Sequence, residues 1–159
     1  MNKLKVSAND LVKQAYAEVE TLSPEEAIAI YNDADVIIVD VRDIRELERE
    51  GRIPGSFHAP RGMLEFWADP ESPYHHAQFS SGKKLVLHCA KGWRSALSAK
   101  TLQDMGVPNI SHFDGGFAAW KENKEAKPGR LVKPNANSDY VYEKINNYGL
   151  RLDIVIEAK

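Results

Sequence analysis

Short apolar runs alternate with charged and glycine-containing segments along most of this chain. Residues 36–39 are four consecutive β-branched residues, and a second apolar run, at residues 85–87, lies within the segment 83–88. Continuous runs of this kind are typical of strands that are buried on both faces of a parallel sheet. Shorter strands are predicted at residues 57–59 and 110–113.

Helical patterns fill the segments between these runs. Residues 9–20 carry Leu11, Ala15 and Val19 at spacings of four, which predicts a short amphipathic helix. Ser23 before a proline is typical of a helix N-cap and predicts a helix over residues 25–32. Further helices are predicted at residues 62–68 and 95–105. The alternation of strands and helices predicts an α/β fold with a parallel, helix-covered sheet.

Composition narrows the class of protein. The chain has 159 residues, of which 43% are hydrophobic, and this is enough for one domain with a sizeable core. The formal net charge of −2 provides no basic surface for nucleic acid or membrane. The sequence shows neither an apolar stretch of about 18 residues nor an apolar signal-peptide region. We therefore expect a cytoplasmic protein without nucleic-acid or membrane partners.

Cys89, the only cysteine in the sequence, follows the predicted strand at residues 84–88 and precedes a helix that begins near Ser95. The loop amides, the positive end of the helix dipole and the cations Lys91 and Arg94 would all favour the thiolate. The thiolate is the nucleophilic form of cysteine. The alternative is a small buried apolar residue, but a cationic, glycine-containing turn favours the nucleophile. A reducing compartment suits such a thiol.

The length of this loop indicates the size of the group that it holds. Four residues separate Cys89 from Arg94, whereas the phosphate-binding loop of the thiol phosphatases has five at this place. A tighter loop suits a single sulfur atom better than a tetrahedral phosphate.

Three motifs together resemble the rhodanese sulfurtransferases. Residues 89–95, CAKGWRS, are similar to that family's active-site loop. Upstream, DVR at 40–42 with Glu46 resembles the family's D-V-R-x-x-x-E element, and GRIPGS at 51–56 resembles its G-H-I-P-G-A element. Downstream, DGGFAAW at 114–120 resembles its G-G-x-x-x-W element. Arg52 replaces the usual histidine, and one extra residue lies between Glu46 and the GRIPGS segment.

The resemblance covers residues 22–124 and leaves an extension at each end. Residues 1–21 are predicted to be a helical extension, and residues 125–159 a C-terminal extension. In the latter, residues 150–157 alternate apolar and polar side chains, which predicts a half-buried strand. We expect this strand at the edge of the central sheet, although exchange between protomers would also satisfy it.

The resemblance implies a three-layer α/β/α fold with a mostly parallel central sheet. It also implies a sulfurtransferase that moves a sulfane sulfur from an anionic donor such as thiosulfate to cyanide or a thiol, including a protein thiol, through a persulfide on catalytic Cys89. No cofactor and no metal is expected, and the protein would be a monomer or a homodimer. The expected substrate-binding residues are Ala90, Lys91, Gly92, Trp93, Arg94 and Ser95.

Charged residues near the predicted strand ends are expected to support this site. Asp40 would accept loop amides or pair with an arginine, and Arg42 and Glu46 would form an ion pair. His88 precedes the nucleophile, but side-chain alternation in a strand directs it to the opposite face. We therefore expect a structural histidine, although the sequence leaves a contribution from His88 or Arg61 open.

Two other classes of function remain open from the residues. A thiol-based phosphatase or arsenate reductase would use the same nucleophile and arginine, but the short loop and the absence of a recognisable acid count against it. A non-catalytic binding module has no use for an activated thiol. The sequence does not specify the physiological donor or acceptor.

Overall fold

A five-stranded parallel sheet organises the protein. The computed structural model describes residues 2–123, 140–145 and 151–156. Along the sheet the strand order is β1, β5, β4, β2, β3. The strands are β1 (Glu20–Leu22), β2 (Val36–Asp40), β3 (Phe57–His58), β4 (Lys84–His88) and β5 (Ile110–Phe113), and the helices are α1 (Ala8–Glu18), α2 (Pro24–Ile30), α3 (Ile44–Glu50), α4 (Leu64–Ala68), α5 (Trp93–Asp104) and α6 (Gly116–Glu122).

Both faces of the sheet are covered, as the continuous apolar runs predicted. On one face, Leu85 and Leu87 of β4 pack in a cluster with Leu102 of α5. On the other face, Val86 packs in a cluster with Trp120 of α6 and Ala27 of α2. The three-layer α/β/α fold with a parallel central sheet is therefore confirmed.

The register of the two central strands positions the site. β2 and β4 pair in parallel with Asp40 beside His88. Because parallel strands end at the same edge of a sheet, the loops after Asp40 and after His88 are neighbours. One hydrogen bond already joins them there, since the Val41 N–H donates to the His88 carbonyl at 3.0 Å.

The N-terminal helix was predicted, but its buried face was only partly right. Val12 and Ala15 are buried, whereas Leu11 is 44% exposed. Leu11 therefore does not belong to the apolar stripe. The stripe lies toward α5, where Lys100 forms an ion pair with Glu18 at 2.6 Å.

Three short elements were not predicted. β1 has the sequence ETL and so carries no apolar run. α3 begins at a capping box in which the Asp43 side chain caps the helix and the Glu46 side chain returns to the Asp43 N–H. α6 begins at the second residue of a glycine pair. A three-residue strand and seven-residue helices are too short for periodicity to reveal them.

The C-terminal strand forms, but not where we expected it. β7 (Arg151–Ile156) pairs antiparallel with β6 (Tyr140–Ile145) in a separate two-stranded sheet. The expectation of an edge strand on the central sheet is therefore wrong for the described residues. Pairing with a segment nearby in the chain costs less loop-closure entropy than joining a distant edge. In the described part of the chain, no helix has the length and apolar character needed to span a membrane.

The start of α6 packs directly on the loop that follows β4. The N–H groups of Phe117 and Ala118 donate to the carbonyls of Cys89 and Ala90 at 2.8 and 3.0 Å. Gly116 lies between the two segments with φ of +56°, and a Cβ on it would come within 2.5 Å of the Cys89 carbonyl oxygen. Only glycine allows this close approach.

Gly116→Ala is therefore expected to destabilise the fold. Left-handed backbone strain and a clash with rigid backbone should together lower the free energy of unfolding by about 2 kcal/mol or more, which is several degrees in Tm. Gly62→Ala is the matched control, because Gly62 has open space around it and no positive φ. Thermal unfolding of both variants measures the difference, and equal Tm values would contradict the close contact.

Candidate active site

Cys89 lies in the centre of the loop between β4 and α5. Its side chain is only 1% exposed. The Gly92 N–H donates to the sulfur at 3.1 Å, and the sulfur lies 3.7 Å from the Ser95 hydroxyl oxygen. α5 begins at Trp93, so its first N–H groups, which have no partner within the helix, lie next to the thiol. The loop and the start of the helix therefore present hydrogen-bond donors to the sulfur.

The contact with α6 also orients the loop amides. In a planar trans peptide, the C=O and the N–H point in opposite directions. Because the Cys89 and Ala90 carbonyls both point to α6, the N–H groups of Ala90 and Lys91 point away from it. The loop therefore presents N–H groups, and not carbonyls, on the side away from α6.

Gly92 is required by a neighbour that the sequence did not reveal. Its φ is +121°, and a Cβ there would lie 2.6 Å from the hydroxyl oxygen of Tyr16 in α1. Tyr16 donates a hydrogen bond to Asp114 at 2.8 Å. Burial and the Asp114 carboxylate raise the pKa of Tyr16, so its hydroxyl keeps its proton. Tyr16 and Asp114 are separated by 98 positions, and no local pattern could have joined them.

Arg94 is held by a carboxylate from α3. Its guanidinium donates to both oxygens of Glu46 at 2.8 and 2.9 Å. This bidentate contact lowers the pKa of Glu46 and raises that of Arg94. The expected ion pair of Arg42 and Glu46 is therefore wrong.

Arg42 pairs with Asp40 instead. Both side chains are fully buried, and the guanidinium donates to Asp40 at 2.7 Å and to the Gly51 carbonyl at 2.9 Å. The guanidinium also lies 4.2 Å from the centre of the Phe117 ring. Burial opposes the charge on Asp40, but His88 and Arg42 together hold the pKa of Asp40 below its ordinary value. Asp40 thus makes both expected contacts, since it pairs with the arginine and also accepts the backbone N–H of Arg42 at 3.0 Å.

His88 and Arg61 make their contacts away from the sulfur. The His88 ring stacks on Phe113, on the opposite face of the sheet from Cys89, and lies 3.5 Å from the Asp40 carboxylate. Burial lowers the pKa of His88, while the Asp40 carboxylate opposes this shift. Arg61 pairs with Glu65. Both side chains have structural contacts in the described structure.

Lys91 and Trp93 are exposed at the loop. Trp93 is 63% exposed, unlike Trp67 and Trp120, which are core residues. Arg94 is also exposed, but it is paired with Glu46, whereas Lys91 makes no ion pair within the described residues. Among the described residues, no cluster of three or more His, Cys, Asp or Glu side chains could hold a metal ion.

One further buried residue near the thiol was missed. His112 of β5 lies 3.3 Å from the Ser95 hydroxyl oxygen through Nδ1 and 2.9 Å from the Thr21 hydroxyl oxygen through Nε2. Thr21 and His112 are partners in the register of β1 and β5. His112 belongs to none of the sequence motifs, and its position relative to Cys89 depends on strand order.

Known proteins share this fold and parts of this sequence. The chain is 28% identical over 97 residues to thiosulfate sulfurtransferase/rhodanese-like domain-containing protein 3 of Mus musculus, covering 58% of this chain and 62% of that protein. The chain spans about half to three-fifths of the length of the curated relatives that it matches.

Two solved structures are also similar. A Rhodopseudomonas palustris protein of unknown function, named a possible tyrosine phosphatase, is 48% identical with a TM-score of 0.74, covering 77% of this chain and 94% of that one. A single-domain sulfurtransferase of Saccharomyces cerevisiae is 18% identical with a TM-score of 0.54, covering 69% of this chain and 94% of that one, and shares the fold.

The three motifs in the sequence lie around one loop in the structure. The family model described as the rhodanese-like domain matches residues 23–123, which include all three motifs. The chain therefore belongs to the rhodanese-like domain family.

Proposed function

We propose that the protein is a sulfurtransferase that carries a sulfane sulfur as a persulfide on Cys89. The observation that carries this proposal is the surrounding of the Cys89 sulfur, which accepts the Gly92 N–H at 3.1 Å at the start of a helix. Such a site stabilises a thiolate and a small anionic sulfur group next to it. A reducing compartment such as the cytoplasm keeps the thiol available.

In the first half of the reaction, the donor is an anion such as thiosulfate. The Cys89 thiolate attacks the outer sulfur of the donor and forms a new S–S bond. The S–S bond of thiosulfate breaks, and sulfite leaves with the electron pair. The Gly92 N–H and the amides at the start of α5 stabilise the negative charge of the persulfide.

In the second half, a nucleophilic acceptor removes the sulfur. Cyanide or a thiol, including a protein thiol, attacks the outer sulfur of the persulfide. The bond to Cys89 breaks, and the thiolate is regenerated with its electron pair. Sulfur passes between the two substrates without a redox cofactor, because the oxidation level of the transferred atom is supplied by the donor.

The loop cations act in the first half. Lys91 is exposed and attracts the anionic donor, while Arg94 contributes a charge that Glu46 partly compensates. The donor preference therefore depends more on Lys91 than the sequence alone indicated. The name of the mouse relative, which includes thiosulfate sulfurtransferase, supports thiosulfate as the donor to test first.

A phosphatase is the second candidate, because the Rhodopseudomonas palustris relative is named a possible tyrosine phosphatase. The structure also brings an acid near the loop, since Asp114 would lie 3.2 Å from a Cβ on Gly92. The lack of a nearby acid is therefore no argument against this candidate. Two other features do count against a phosphatase. The loop has only four residues between Cys89 and Arg94, and Glu46 occupies the face of Arg94 that would bind a phosphate.

Cys89→Ser should abolish sulfur transfer while the Tm stays close to that of the unchanged protein, because a serine hydroxyl cannot form a persulfide. Intact mass spectrometry after incubation with thiosulfate should show one added sulfur atom on the unchanged protein and none on the variant. Transfer by the purified variant above background would remove Cys89 from its proposed role.

Lys91→Ala should raise KM for thiosulfate by roughly three- to tenfold, because the loss of one charge contact costs about 1 kcal/mol. A neutral donor such as an organic trisulfide should be affected less. Lys83→Ala is the matched control, since Lys83 is also exposed but precedes β4 at the other end of the strand. Equal losses with both donors would indicate a collapsed loop.

Turnover of an aryl phosphate such as p-nitrophenyl phosphate separates the two candidates. The short loop and the paired Arg94 predict kcat/KM for thiosulfate well above that for the phosphate ester. A faster reaction with the ester, lost in Cys89→Ser, would establish the phosphatase instead.

A further inference from the structure

A chain of hydrogen-bond contacts leads from the Cys89 sulfur to the N-terminal extension. The sulfur lies 3.7 Å from Ser95 Oγ, which lies 3.3 Å from His112 Nδ1. His112 Nε2 lies 2.9 Å from Thr21 Oγ1. Ser95 and His112 are fully buried, Cys89 is 1% exposed, and Thr21 is exposed. Water therefore does not compete for the first three groups, and the chain reaches the surface at Thr21.

The groups that face His112 come from four elements. The Tyr16 ring of α1 packs against it edge-on, with 4.9 Å between ring centres. Thr21 comes from β1 and Ser95 from α5. Asp114, which follows β5, is the one charged group that raises the pKa of the ring, but burial outweighs it and lowers the pKa of His112 to about 4. The ring is therefore neutral near pH 7, with one nitrogen as donor and the other as acceptor.

The distances assign the position of the ring proton. The Ser95 hydroxyl donates to the Gly92 carbonyl at 3.0 Å, so its oxygen is the acceptor in the contact with His112 Nδ1 at 3.3 Å. The proton of the neutral ring therefore lies on Nδ1, and Nε2 is an acceptor. The Thr21 hydroxyl, at 2.9 Å, donates to Nε2, whereas its contact with the Val19 carbonyl at 3.4 Å is longer than a normal O–H hydrogen bond.

This tautomer determines what the Ser95 hydroxyl can do. With a proton on Nδ1, the ring cannot accept from Ser95. The hydroxyl hydrogen is left with the Gly92 carbonyl at 3.0 Å or the Cys89 sulfur. The Gly92 carbonyl also accepts the Ala96 N–H at 3.0 Å, so it keeps a partner if Ser95 turns away. A thiolate, being charged, is the stronger acceptor.

We propose that His112 is a positioning residue for the nucleophile. Thr21 holds the ring through Nε2, and the Nδ1–H of the ring donates to Ser95. The Ser95 hydroxyl is then free to donate to the Cys89 thiolate. Thr21 and Tyr16, which hold and cover the ring, precede the segment 23–123 that matches the family model. The N-terminal extension therefore sets the state of the thiol. This inference deepens the proposed function and rests on it only for the identity of Cys89 as the nucleophile.

Thr21→Val tests the proposal with little change in shape. Without the hydroxyl, nothing holds Nε2 as an acceptor, so the ring can carry its proton there and Nδ1 competes for the Ser95 hydroxyl. Nitrogen-15 NMR of the histidine rings should show the proton on Nδ1 of His112 in the unchanged protein and a shift toward Nε2 in the variant. Alkylation of Cys89 by iodoacetamide at pH 7 should slow by roughly three- to tenfold, with the midpoint of the rate profile at higher pH.

Thr21→Ser keeps a hydroxyl and should retain the rate of the unchanged protein. Thr101→Val is the matched control, because the Thr101 hydroxyl contacts Arg61 and lies outside the chain of hydrogen bonds. In a Ser95→Ala background, Thr21→Val should have no further effect on alkylation. A ring proton on Nε2 in the unchanged protein, or losses that add in the double variant, would overturn the proposal. Because alkylation needs no sulfur donor, this result is separate from failure of sulfur transfer.

Discussion

The arrangement of the site depends on the contact between the start of α6 and the loop after β4. Two N–H groups of α6 fix the Cys89 and Ala90 carbonyls, at 2.8 and 3.0 Å, and so fix the directions of the next two peptide planes. A thiol on an unconstrained loop would meet carbonyls and N–H groups with equal chance. The glycine at 116 lets the helix approach closely enough to make both bonds.

Two ion pairs, each between a carboxylate and a guanidinium, hold the loops around the thiol. The buried pair of Asp40 and Arg42 joins the end of β2 to Gly51. The pair of Arg94 and Glu46, nearer the surface, joins the start of α5 to α3. A buried pair of this kind is costly to break, because the remaining charge has no water to solvate it. The first pair therefore holds β2 and the segment at Gly51 in a fixed arrangement, and the second leaves Lys91 as the loop cation without an ion pair among the described residues.

The sequence predicted what depends on neighbouring residues and missed what depends on distant ones. β2 and β4 could be predicted because their apolar runs are continuous, and the loop could be recognised from residues 89–95 together with the two flanking motifs. The pairing of Glu46 with Arg94 could not be predicted. Glu46 is close to Arg42 in the sequence but contacts Arg94 in the structure. Tyr16 and His112 reach the site through contacts 98 and 91 positions apart in the chain, which only the strand order creates.

The segment that matches the family model does not include every residue next to the candidate site, because α1 and β1 precede it. The family match begins at residue 23, yet the side chains that require glycine at 92 and hold the ring of His112 come before it. A domain boundary placed where the family match begins would keep Cys89 but exclude the side chains of Tyr16 and Thr21. In a fragment limited to residues 23–123, the loop of Cys89 would therefore lose the neighbouring Tyr16 of α1, and His112 would lose its contact with Thr21 of β1.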